Sequence, residues 1–225
     1  MKLLVITFTT DLTNPGYLHL VESLKKHGYD FETLTDSRFS WGGDNYSIIA
    51  EWLKQNRKDY THILYTDAWD TLAFAGPEVL LSKFGSTPIN WVFSGEKNPC
   101  FAKRLEVYAT NETRWPFLCA GGYICQIDLY IRIVETYPRN PGENDQQYAS
   151  RILEEKIENI WIDRDCSMFQ TLYNMKGLHQ PPNTGEFAIN DQYEFVNLIT
   201  GTKPIFVHGN GKVDMRSIYH SPYKK

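Results

Sequence analysis

The chain alternates between short apolar runs and longer stretches in which apolar residues recur at helical spacing. Leu3-Leu4-Val5-Ile6-Thr7-Phe8 is almost continuously apolar, the pattern of a strand buried on both faces. Thr9 to Asn14 carries loop and helix-cap chemistry, and Pro15 suits a first helical turn. Leu18, Val21 and Leu24 then recur with helical period until His27-Gly28 ends the helix. Tyr29 to Leu34 reads as a second strand, Ser47 to Lys54 as an amphipathic helix, and His62 to Tyr65 as a third strand. Trp91 to Phe93, Gly122 to Cys125, Ile160 to Ile162 and Ile205 to Val207 are further strand candidates. Strands interleaved with helices predict an α/β fold with a mostly parallel sheet flanked by helices. With no linker or repeat, residues 1–225 are expected to form a single domain. Ligands of such sheets bind beyond the C-terminal strand ends, which singles out the loops after Phe8, Tyr65 and Val207.

Composition narrows the function. At 225 residues, a domain buries roughly 70% of its unfolded surface and needs no disulfides. The net charge of −4 lacks the basic excess of a protein that follows a nucleic acid backbone; only Lys25-Lys26 and Lys224-Lys225 are locally basic. No extended nucleic acid partner is therefore expected. Cys100, Cys119, Cys125 and Cys166 show no Cys-x-x-Cys spacing and suit a reducing compartment as small core residues. The N-terminal apolar run is too short for a signal-peptide core, and no stretch approaches a membrane span. The expectation is a soluble, cytoplasmic protein without a membrane partner.

Two separated stretches carry candidate chemistry. Tyr65-Thr66-Asp67-Ala68-Trp69-Asp70 ends a strand in two carboxylates, which converge if the chain turns at Asp67. Paired carboxylates suit Mg²⁺ or Mn²⁺, cations that share their shell with substrate phosphates; a turn capped by aspartates gives the same letters. Val207-His208-Gly209-Asn210-Gly211-Lys212 offers an imidazole, glycines that admit a close anion, and a lysine. The competing reading is a hairpin turned at Asn210-Gly211.

The chain resembles the N-terminal glycosyltransferase domain of procollagen lysyl hydroxylases. The matching landmarks run in order: Leu3 to Thr7, Gly16-Tyr17-Leu18, Trp41 with Gly42-Gly43-Asp44, Trp52-Leu53-Lys54, Thr66 to Asp70, Phe93-Ser94-Gly95-Glu96, Gly121-Gly122-Tyr123, Asp145-Gln146, Asp163, Phe169-Gln170 and His208 to Gly211. The resemblance implies a GT-A (Rossmann-like) fold and a metal-dependent transfer of sugar from a UDP-sugar to a hydroxyl. It implies Asp67, Asp70 and His208 as ligands of Mn²⁺, with Mg²⁺ as the alternative. It places Trp69 against the nucleoside and Thr7, Thr9 and Thr10 in the nucleoside loop, with Trp41 and Gly43 among the donor-binding residues. Asn210, Gly211 and Lys212 fall along the pyrophosphate, and Asp145 takes the place of a base or acceptor-steering carboxylate.

The chain departs from that family where the sugar and acceptor bind. Gly142-Glu143-Asn144-Asp145 is a thin acidic run, Cys119-Ala120 replaces Asn-Ser, and Asn98-Pro99-Cys100-Phe101 stands where the family has Trp-Pro. The acceptor stays open among a protein hydroxylysine, a viral or bacterial glycan and a modified nucleobase. A silent nucleotide-sugar-binding domain and a metal-dependent phosphoesterase are the alternative functions. Asp163-Arg164-Asp165 is a rival metal motif, with a structural role favoured for Asp163. Core packing is expected for Trp161, and Gln180 to Gly185 reads as a flap.

Overall fold

The computed structural model describes residues 1–35, 44–87, 89–109, 113–157, 160–173 and 179–219. Trp41 and Gly43 lie outside the described residues. In chain order the elements begin β1 (Leu3–Phe8), α1 (Pro15–Lys26), β2 (Phe31–Leu34), α2 (Asn45–Asn56), β3 (His62–Thr66), β4 (Thr71–Ala73), α3 (Pro77–Gly85), β5 (Trp91–Glu96) and α4 (Leu105–Tyr108). They continue with β6 (Phe117–Gln126), α5 (Ile127–Thr136), α6 (Asp145–Glu154), β7 (Ile160–Asp163), β8 (Phe169–Thr171), β9 (Phe187–Ile189), β10 (Phe195–Asn197), β11 (Phe206–His208) and α7 (Arg216–Tyr219).

The central sheet has the order β2-β1-β3-β6-β5-β7. β6 runs antiparallel to β3 and β5, and the other pairs are parallel. Strand alternation divides the core. Leu4, Ile6 and Phe8 of β1 face α2, α5 and α6, whereas Leu3 and Val5 face α1 and α3. The first side is filled by aromatics: Tyr46, Tyr65, Tyr123 and Tyr130 stack on one another, and Trp91 tilts against Tyr123 and Tyr130. A second sheet, β4-β11-β8, covers part of the opposite side, and β9 and β10 form a hairpin.

The mostly parallel α/β architecture agrees with the sequence reading, with instructive differences. Asn14 caps α1 by accepting from the Gly16 N–H, and Pro15 opens the helix as expected. Its buried face, however, is Tyr17, Leu20 and Leu24; Leu18 is 52% exposed. The Gly122–Cys125 signal is part of a ten-residue strand. Trp161 is 53% exposed because β7 is an edge strand, so core packing is not its place. Trp115 is fully buried instead. β11 finds its partners in β4 and β8, so Asn210-Gly211 does not join two strands of a hairpin.

The β5–β6 register breaks where Phe93 pairs with Tyr123 but Ser94 pairs with Cys119. The intervening Ala120, Gly121 and Gly122 bulge away from β5. Gln146 of α6 repairs the edge: its side-chain oxygen accepts the Ala120 N–H at 2.8 Å, and its amide donates to the Leu118 carbonyl at 2.7 Å. The same contact places the first turn of α6, with Asp145, beside the bulge.

Candidate active site

Two sheets supply the three groups that converge. Asp67 leaves the end of β3, where its N–H donates to the Gly121 carbonyl and the Tyr65 hydroxyl donates to its carboxylate at 3.1 Å. The chain turns through Trp69 and Asp70 into β4, which pairs antiparallel with β11 so that Thr71 faces His208. The Gly209 N–H donates to the Asp70 carbonyl at 2.7 Å and closes the junction. His208 Nε2 thereby stands 3.4 Å from Asp67 Oδ2 and 3.3 Å from Asp70 Oδ1. One ligand atom from each residue lies within 4.8 Å of the others.

Burial resists protonation of His208, but the Asp70 charge, with the hydrogen bonds the imidazole donates to Asp67, Asp70 and Cys119, outweighs it and raises the imidazole well above its ordinary range. Two carboxylate oxygens and one imidazole nitrogen form a donor set suited to Mn²⁺. Gly121 closes the floor beneath Asp67 and His208 with no side chain of its own. On its far side, His208 Nδ1 lies 3.8 Å from the Cys119 thiol. The residues therefore fit a divalent cation.

Asp145, the first residue of α6, has its carboxyl raised to about 6. Burial is the main cause and the Asp67 charge adds to it; the Gln146 N–H and Asn45 amide work in the other direction. Glu96, at the end of β5, is pushed up to about 8 by burial, opposed by His208 and by a 3.0 Å bond from the Asn210 amide.

The other sequence candidates sort by what their side chains touch. Trp69 is 43% exposed, and its indole N–H donates to the Thr9 hydroxyl at 2.9 Å. The Tyr219 hydroxyl donates to the Trp69 carbonyl, and its ring stacks on His19. Thr10 is exposed. Thr7 is fully buried and donates to the Thr66 carbonyl at 2.7 Å, a bond between β1 and the end of β3 rather than part of a loop. The Asn210 side chain is likewise engaged, accepting the Leu172 and Tyr173 N–H groups while donating to Glu96. The backbone N–H groups of Asn210 and Gly211 meet no backbone acceptor among the described residues. Gly211 and Lys212 both have positive φ, 70° and 59°, and a Cβ on Gly211 would come within 2.6 Å of the Tyr173 ring. Asp163 accepts from the Ser167 hydroxyl and from the N–H groups of Ser167, Met168 and Phe169, the structural role favoured from sequence. Gln180 belongs to a strap whose carbonyl accepts the Asp214 N–H, while the His179 N–H donates to Lys212. Glu96, Cys119 and Gln146 are not among the site residues named from sequence; Glu96 and Gln146 fall within family landmarks, and Cys119 within the Cys119-Ala120 departure from the family pattern.

Fold and site define a class: a GT-A-fold glycosyltransferase domain. The family model described as PLOD GT domain matches residues 1–223, and the chain belongs to that family. It is 27% identical over 240 residues to procollagen-lysine,2-oxoglutarate 5-dioxygenase 2 of Mus musculus, covering 99% of this chain and 31% of the relative. It is 28% identical over 239 residues to procollagen-lysine,2-oxoglutarate 5-dioxygenase 1 of Pongo abelii, covering 99% and 32%. The chain thus spans about a third of the length of these relatives. Its fold is shared with a glycosyltransferase involved in glycosylation of the major capsid of PBCV-1, at TM-score 0.53 and 12% identity over 94% of both chains. Mouse xyloside xylosyltransferase 1 is also similar in fold, at TM-score 0.51 and 11% identity over 93% of this chain and 97% of that one. No helix among the described residues is long and apolar enough to cross a membrane.

Proposed function

We propose that this domain transfers a sugar from a UDP-sugar to a hydroxyl acceptor with the help of Mn²⁺. The observation that carries the reading is the meeting of Asp67, Asp70 and His208 at one point beside the Asn210–Lys212 loop. Those three residues would hold the cation. Bound there, a divalent ion supplies positive charge against a departing diphosphate. The imidazole favours Mn²⁺ over Mg²⁺, which prefers oxygen and water.

The chain's own residues account for the remaining tasks. Trp69 offers a flat face for the uracil, and Thr9 fixes the indole's orientation. The N–H groups of Asn210 and Gly211, with the Lys212 ammonium, offset charge on the diphosphate as the sugar–phosphate bond breaks. A new bond forms between the anomeric carbon and the acceptor oxygen. Asp145, with its carboxyl raised to about 6, is mostly ionised at neutral pH and able to take the acceptor's proton.

The test is calorimetric titration of UDP with Mn²⁺ present and with EDTA, followed by UDP release across a panel of UDP-sugars. Mn²⁺ is expected to tighten UDP binding at least tenfold. Equal affinity in both conditions would remove the cation from the reading.

A further inference from the structure

Asp67 gives its two carboxylate oxygens different partners. Oδ2 stands 3.4 Å from His208 Nε2, within the group that would hold the cation. Oδ1 accepts the Tyr65 hydroxyl at 3.1 Å. Residues two apart along a strand point to the same side, so the end of β3 itself brings phenol and carboxylate together. The buried Tyr65 ring is already packed by stacking on Tyr123, and the hydroxyl is not needed for that contact. The bond it donates instead decides which Asp67 oxygen is left for the cation.

Asn45 carries the arrangement on to Asp145. It is the first residue of α2 and is 1% exposed. Asp44 already caps the helix by accepting the Ser47 N–H, so Asn45 is not needed there. The Asn45 amide donates to Asp145 Oδ2 at 3.5 Å, and the Gln146 N–H donates to Asp145 Oδ1 at 2.8 Å. Burial, with the Asp67 and Asp145 charges, holds the Tyr65 hydroxyl well above its ordinary range, and the Asn45 side chain beside it works in the other direction. Tyr65 thus keeps its proton and donates it to Asp67. The Asn45 carboxamide oxygen is buried with no hydrogen-bond partner among the described residues. An orphaned acceptor destabilises a fold, so stability does not account for an asparagine at this position. Two neutral side chains therefore stand at two carboxylates, Asp67 and Asp145, whose like charges oppose each other.

We infer that Tyr65 and Asn45 are positioning residues of the transfer site: Tyr65 turns Asp67 Oδ2 toward the cation, and Asn45 holds Asp145 toward the acceptor hydroxyl. Both roles rest on the transfer function proposed above. The test starts with Mn²⁺ alone, titrated into the full chain and read by electron paramagnetic resonance. Tyr65→Phe keeps the ring and loses one oxygen. It should weaken Mn²⁺ about tenfold, as loss of a hydrogen bond to a metal ligand does, while Asn45→Ala binds Mn²⁺ as the parent does. UDP release to water from a panel of UDP-sugars then separates the two roles. Excess Mn²⁺ should restore kcat in Tyr65→Phe. In Asn45→Ala, kcat should stay about tenfold low at every Mn²⁺ level, the effect of a displaced carboxylate. KM for the UDP-sugar should be unchanged, and the metal-free variant should be at least as stable as the parent. Parental Mn²⁺ affinity in Tyr65→Phe, parental kcat in Asn45→Ala, or destabilisation of Asn45→Ala in step with its lost activity would overturn the inference. A parent that binds Mn²⁺ yet turns over no UDP-sugar would count against the transfer function, and the Mn²⁺ titration would still decide the role of Tyr65.

Discussion

A Cβ placed on Gly121 would lie 2.3 Å from His208 Cε1 and 2.5 Å from Asp67 Oδ2. Neither atom can yield without leaving the Asp67–Asp70–His208 group. Gly121→Ala is expected to cost about 1–3 kcal/mol of stability and to abolish the Mn²⁺ dependence of UDP binding. Thermal unfolding and Mn²⁺ titration by electron paramagnetic resonance check the two effects. A variant that still binds Mn²⁺ normally would show that the imidazole can be displaced harmlessly.

Trp69 is part-exposed and its indole N–H is tied to the Thr9 hydroxyl. Trp69→Ala is expected to weaken UDP about tenfold, the worth of one stacked base, whereas Trp69→Tyr retains most of the affinity. Quenching of tryptophan fluorescence by UDP in the parent protein, absent in Trp69→Tyr, provides the spectroscopic check.

Asp145 links activity to stability. Its carboxyl moves from 3.8 in the reference state to about 6 on folding. A raised carboxyl pKa contributes stability below the unfolded value, and that contribution is lost as pH rises through the folded one. Between pH 4 and 7 the ionising group therefore destabilises the fold by about 2 kcal/mol. Asp145→Asn should accordingly be more stable than the parent at pH 7 and show no such advantage near pH 3. Transfer should rise through an acid limb near pH 6 in the parent and be lost in the variant, with UDP affinity unchanged. Chemical denaturation at several pH values reads the first effect and UDP release the second.

Gln146 satisfies two backbone groups of the β6 bulge. Gln146→Ala leaves both without partners and is expected to cost about 2–4 kcal/mol. Hydrogen exchange of the Ala120 amide should quicken more than that of β1, where the ladder to β3 is untouched.

The architecture was legible where a strand or helix carries its own pattern. β1, β3 and α2 bury their residues locally enough for hydrophobic period to reveal them. β4 and β8 are three residues each and exist through pairing with β11; no local pattern marks such strands. Their absence from the sequence reading hid the reason Asp70 meets His208, although both residues were named. The direction of β6 was hidden for the same reason, since apolar runs carry no polarity. Thr7 and Trp161 show the converse limit: the resemblance for Thr7, and residue type for Trp161, suggested a place that neighbouring strands decide. Gly121 appeared as a landmark, but its purpose is visible only once His208 packs over it.

The β4–β11 ladder has a kinetic consequence. It joins the residues just after Asp70 to a strand near the end of the described chain. Loop closure over that separation is slow and entropically costly, so the pairing belongs late in folding. Asp67 follows a strand of the central sheet, whereas the place of His208 depends on the β4–β11 pairing. A cation bound to all three residues would therefore act after the folding barrier. It would prolong the lifetime of the native state while leaving the refolding rate nearly unchanged.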